Sequence, residues 1–95
     1  MSIYTRILLF RHHIAAVKAI AWCPWQSSLL ASGGGSADKS IKLWNVNSGS
    51  LINSIDTKSQ VSSLVWATEY KEIVSAHGGQ NNEIAIWKYP AMVRF

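Results

Sequence analysis

The chain has 95 residues, 48 % of them apolar and 15 % charged, with a formal net charge of +4. That apolar share excludes a disordered tail, and no apolar run approaches the roughly 20 residues of a membrane-spanning helix. The nine lysines and arginines are scattered from Arg6 to Arg94 rather than gathered into a stripe, so the charge leaves no nucleic-acid footprint.

MSIYTRILLF is not a signal peptide, because its apolar stretch is short and Arg11, His12 and His13 close it at once. Residues 6–10 read as a first strand and 16–22 as a second, which Pro24 terminates by removing a ladder donor. The single cysteine, Cys23, excludes an internal disulfide and fits a reducing compartment, cytosol or nucleus. Between Trp22, Pro24 and Trp25 it reads as a buried, inert thiol. Further strands follow at 29–33 and 39–45, separated by the glycine-rich turn GGSAD (34–38). NVNSGS then supplies Asn47, Ser48 and Gly49 for a hairpin turn. Strands at 51–56, 60–66, 72–76 and 83–89 repeat the cycle. No apolar helical stripe persists over ten residues. Lys42 between Ile41 and Leu43 shows strand alternation, whereas VKAIAW is apolar on both faces and is expected to be covered on both.

The chain says the same thing twice. VKAIAW recurs as VSSLVW, pairing Val17 with Val61, Ile20 with Leu64 and Trp22 with Trp66 at a separation of 44. ASGGG returns as VSAHG, and DKSIKLW as NNEIAIW, pairing Ser32 with Ser75, Ile41 with Ile84 and Trp44 with Trp87 at 43. A period of about 40 to 45 residues with several short strands per unit is the mark of a β-propeller blade. The expected fold is therefore all-β, with two four-stranded antiparallel sheets. Residues 1–10 would close a preceding blade, 11–56 form one repeat, and 57–95 a second whose final strand is incomplete unless AMVRF supplies part of it. A ring needs about four to eight blades, so two make an incomplete ring and a piece of a longer protein.

His13, Ser32, Asp38 and Trp44 stand at the spacings of the structural hydrogen-bond tetrad of WD repeats: an acidic turn residue holds an imidazole, the imidazole meets a hydroxyl, and the hydroxyl accepts from a buried indole. The second unit keeps Ser75 and Trp87, but Asn81 replaces the acid and Thr57 the histidine, so only half a network is expected there. A Ser-His-Asp triad is the rival reading. It fails because the indole consumes the hydroxyl and no nucleophile elbow such as GxSxG occurs; the chain reads as a non-enzyme. His12, His13, Cys23 and His77 lack metal-ligand spacing, and GGG at 33–35 is no phosphate loop. No cofactor or small-molecule substrate is signalled. Four tryptophans recur at equivalent strand positions and read as core; Trp25 does not recur and reads as a surface aromatic.

HIAAVKAIAWCPWQSSLLASGGGSADKSIKLWN, SIDTKSQVSSLVW, KEIVSAHG and IAIWKYPAM together resemble the Fizzy and Fizzy-related activators of the anaphase-promoting complex, over about residues 8 to 92. The resemblance implies a seven-bladed WD-repeat propeller, of which this chain would be the fifth and sixth blades, in the nucleus and cytoplasm. It implies a non-catalytic substrate receptor of a ubiquitin ligase, with the ligase and degron-bearing proteins as partners and neither nucleic acid nor membrane. KEN-type degrons would bind the face built here by loops 10–15, 34–39, 56–60 and 77–82. Ser36 and Gln60 match the family's contact positions there, and both can hydrogen-bond a peptide side chain. Gly79 in HGGQNN departs from the family's bulkier residue. The alternative is a WD-repeat scaffold that does not capture degrons.

Overall fold

The structure is a computed structural model, and it describes residues 17–35, 38–78 and 83–94. The strand expected over 6–10 lies outside them. The described residues form eight strands: β1 (Val17–Trp22), β2 (Leu29–Gly34), β3 (Ser40–Asn45), β4 (Ser50–Asp56), β5 (Val61–Ala67), β6 (Glu72–His77), β7 (Ile84–Lys88) and β8 (Val93–Arg94). They make two antiparallel sheets of four strands each, ordered β1-β2-β3-β4 and β5-β6-β7-β8. The two-residue β8, inside AMVRF, is the short outer strand of the second sheet.

The registers explain why the two units share a sequence pattern. Ile20 faces Ser32 and Trp22 faces Leu30 in the first sheet; Leu64 faces Ser75 and Trp66 faces Ile73 in the second. Because side chains alternate with period two, each row falls on one face of its sheet. Each inner pair also carries a register shift, between Val17 and Ala19 and between Val61 and Ser63.

The two sheets share one core. Ala19, Leu29, Ala31, Ile41 and Leu43 of the first pack with Val61, Leu64, Trp66, Ile73, Ala85 and Trp87 of the second. Gly33 sets how closely they approach. A Cβ built on it would lie 2.5 Å from Val61 Cγ1 and 2.7 Å from Val61 Cβ, distances no pair of carbons tolerates. Trp66 then ties the seam with an N–H that donates to Ala21 O at 3.0 Å.

At one end of the seam, the CPWQ and WKYP segments meet. The Trp25 ring lies 5.2 Å from Trp66 and 5.8 Å from Tyr89, both edge-on, and Trp66 and Tyr89 are 5.7 Å apart. Lys71 Nζ sits 5.0 Å from the Trp25 ring centroid, close enough for a cation–π contact. Trp25 is therefore not a free surface aromatic. It is half-buried and clamps one sheet to the other.

The second cover expected for β1, from a preceding blade, falls outside the described residues. Ile20 and Trp22 are 43 % and 46 % exposed, while Ala19 is buried in the shared core, so the described residues cover one face of this strand. On the second sheet, the face opposite the core carries Val65 and Ile84, 59 % and 69 % exposed, beside Ile86.

Candidate functional site

Each sheet holds a buried indole on a serine. Trp44 Nε1 donates to Ser32 Oγ at 2.8 Å, twelve residues away on the neighbouring strand. Trp87 Nε1 donates to Ser75 Oγ at 2.9 Å in the equivalent place. In the first sheet Asp38 accepts from the Ser40 hydroxyl at 2.7 Å. Its carboxyl packs directly over Gly34, leaving no room for a Cβ there. His13 lies outside the described residues.

The second sheet contains more than the expected half network. His77 Nε2 lies 2.7 Å from Ser75 Oγ, and His77 Nδ1 lies 3.0 Å from Ser59 Oγ. Both serines and the imidazole are buried. A neutral imidazole donates at one nitrogen and accepts at the other, so the chain Trp87–Ser75–His77–Ser59 is satisfied from end to end. The histidine comes from the end of β6, not from the loop before β5, where the repeat puts Thr57. The alignment of ASGGG with VSAHG contains the signal: His77 stands opposite Gly34, so its own side chain fills the space that Asp38 fills in the first sheet.

This constellation cannot be a hydrolytic centre. Ser75 is fully buried and already accepts from Trp87, which leaves no approach for a substrate carbonyl. Among the described residues, no group of three or more His, Cys, Asp or Glu could hold a metal.

Thr57 has a different task. Its N–H donates to Lys39 O at 2.8 Å, and its hydroxyl lies between Lys39 O at 2.8 Å and Ser59 O at 2.7 Å. It is buried. It pins the loop entering the second sheet to the β2–β3 turn of the first. Asp56 Oδ1 accepts from Lys58 N at 2.9 Å and holds Lys58 at φ 66°, a left-handed conformation unusual for lysine. The segment 56–60 is thus a fixed turn, and it delivers Gln60 half-buried beside the end of β6. Ser36 lies outside the described residues.

Two sheets of this order and register, each with an indole–serine bond in its interior, define WD-repeat blades of a β-propeller. The WD domain, G-beta repeat family matches residues 4–45. The chain is 53 % identical over 85 residues to the anaphase-promoting complex subunit cdc20 of Dictyostelium discoideum, covering 90 % of this chain and 17 % of that protein. It is 58 % identical over 86 residues to Protein FIZZY-RELATED 3 of Arabidopsis thaliana, with 90 % and 18 % covered. A chain in the crystal structure of the mitotic checkpoint complex superposes with a TM-score of 0.85 at 50 % identity, over 88 % of this chain and 26 % of that one. Over about nine-tenths of its length the chain is thus similar to Fizzy and Fizzy-related WD-repeat proteins. It spans under a fifth of the length of these two curated relatives.

Proposed function

We propose that this chain contributes two adjacent blades to the propeller of an anaphase-promoting complex activator, a non-catalytic receptor that brings degron-bearing proteins to the ligase. The identity to relatives named as subunits and cofactors of that complex carries the reading. KEN-type peptides would bind at the face assigned to the 10–15, 34–39, 56–60 and 77–82 loops, with Gln60 and Ser36 donating and accepting side-chain hydrogen bonds.

The geometry at Gln60 supports this. Thr57 and Asp56 brace the turn that carries it, so little ordering entropy remains to be lost when a peptide docks. Direct measurement of KEN-peptide affinity for the full-length protein tests the proposal. Ser36→Ala with Gln60→Ala is expected to weaken binding about tenfold or more, as two peptide hydrogen bonds at roughly 1 kcal/mol each imply. Unchanged affinity overturns degron capture at these residues and leaves a propeller scaffold.

A further inference from the structure

We infer that Gly78 is a positioning residue for peptide capture, and that its missing side chain places the Gln60 amide. The inference rests on the proposed role of Gln60. A Cβ built on Gly78 would lie 2.5 Å from Gln60 Nε2, 3.5 Å from Cδ and 3.7 Å from Cγ. The end of the Gln60 side chain therefore sits over Gly78, with its amide nitrogen in the space a methyl group would take. The pairing of Val61 with His77 puts these two residues opposite each other, one step beyond the ladder.

Conformation does not explain the glycine. Gly49 is the one described glycine with a positive φ, at 70°; Gly78 lies outside the left-handed region, so an alanine meets no backbone penalty there. Nor does core packing explain it. The atom in the way is the far end of a flexible, half-buried side chain, which can swing into solvent. At Gly33 the obstacle is the buried, β-branched Val61, which cannot. Alanine at 78 should therefore move the amide and spare the fold. Among the described residues, no hydrogen bond fixes the Gln60 amide, so the shape of the Gly78 surface is what orients it.

The test is a double-mutant cycle in the full-length protein, read with a fluorescent peptide containing Lys-Glu-Asn and with thermal melting. Gln60→Ala and Gly78→Ala are each expected to weaken binding about fivefold to tenfold. The double variant is expected to be no weaker than Gln60→Ala, and Gly78→Ala should melt within about 2 °C of the parent, as a near-neutral substitution does. A purely structural role would move the melting temperature instead. If Gln60→Ala weakens binding and Gly78→Ala does not, the positioning role is overturned while Gln60 stands as a contact. If Gly78→Ala weakens binding further in the Gln60→Ala background, the glycine acts on its own and the inference also falls. If Gln60→Ala itself binds normally, the contact is overturned and the positioning role with it.

Discussion

Trp66 donates its indole N–H to the carbonyl oxygen of Ala21, 45 residues earlier in the chain and on the other sheet. The bond crosses the seam where the two blades meet, next to the aromatic contact with Trp25. Trp66→Phe keeps most of the ring and removes the donor. Loss of one such bond, with the Ala21 oxygen left to find another partner, is expected to cost about 1 kcal/mol, to which the volume vacated in the shared core adds. Denaturant unfolding of the full-length protein should show it as a lower midpoint at unchanged slope.

The two glycines that would each place a Cβ 2.5 Å from a neighbour should behave oppositely. Gly33→Ala drives a methyl into Val61 at the blade seam, and overpacking of this kind costs about 1–3 kcal/mol. Gly78→Ala meets only the displaceable end of the Gln60 side chain. Parallel melting curves that are equal for the two variants would contradict the contrast.

His77 should matter more than Thr57, although the repeat assigns the histidine position to Thr57. His77→Ala leaves Ser59 and Ser75 without their shared partner inside the second sheet. Stranding buried hydroxyls costs about 1–3 kcal/mol, to which the vacated volume adds. Thr57→Val keeps shape and gives up one hydroxyl donor, about 1 kcal/mol. Equal destabilisation of the two variants by chemical denaturation would argue against this ranking.

Trp25 and Tyr89 should couple. Each is truncated to alanine singly and together; edge-on aromatic pairs contribute about 0.5–1.5 kcal/mol beyond their buried area. The double variant is therefore expected to be less destabilised than the sum of the singles by about that amount.

The 95-residue chain expressed alone is expected to self-associate. Val65, Ile84 and Val93 are exposed on the second sheet, and Ile20 and Trp22 on the first; apolar faces of this kind and open strand edges seek a cover. Light scattering should show a mass that grows with concentration. A monodisperse monomer that melts cooperatively would refute the expectation.

The strands were legible in the sequence to within a residue at most of their ends, because alternation and the turn residues agree with each other. β2 was expected at 29–33 and runs from Leu29 to Gly34; β6 was expected at 72–76 and runs from Glu72 to His77. The indole–serine spacing likewise anticipates two bonds that the sheets contain. The His77 bond to Ser75 was missed for a definite reason. Matching the copies position by position looks for the same residue in the same place, whereas the second blade fills the same space from another strand position. Trp25 was misjudged because a residue that does not recur can still pack between units. The left-handed lysines, Lys39, Lys58 and Lys71, carry no sequence signal, since glycine or asparagine is the residue expected at such angles.

The aromatic meeting of Trp25, Trp66 and Tyr89 has an optical consequence. Two indoles 5.2 Å apart at 89°, on opposite sides of a seam, form a coupled chromophore pair that exists only while the sheets are docked. Trp44 packs with Leu30 and Val46, apart from the shared core, and lacks this dependence. Near-ultraviolet circular dichroism therefore carries a component that tracks blade separation, distinct from the far-ultraviolet signal of the strands themselves. The molecule contains its own gauge of whether neighbouring blades part before they melt.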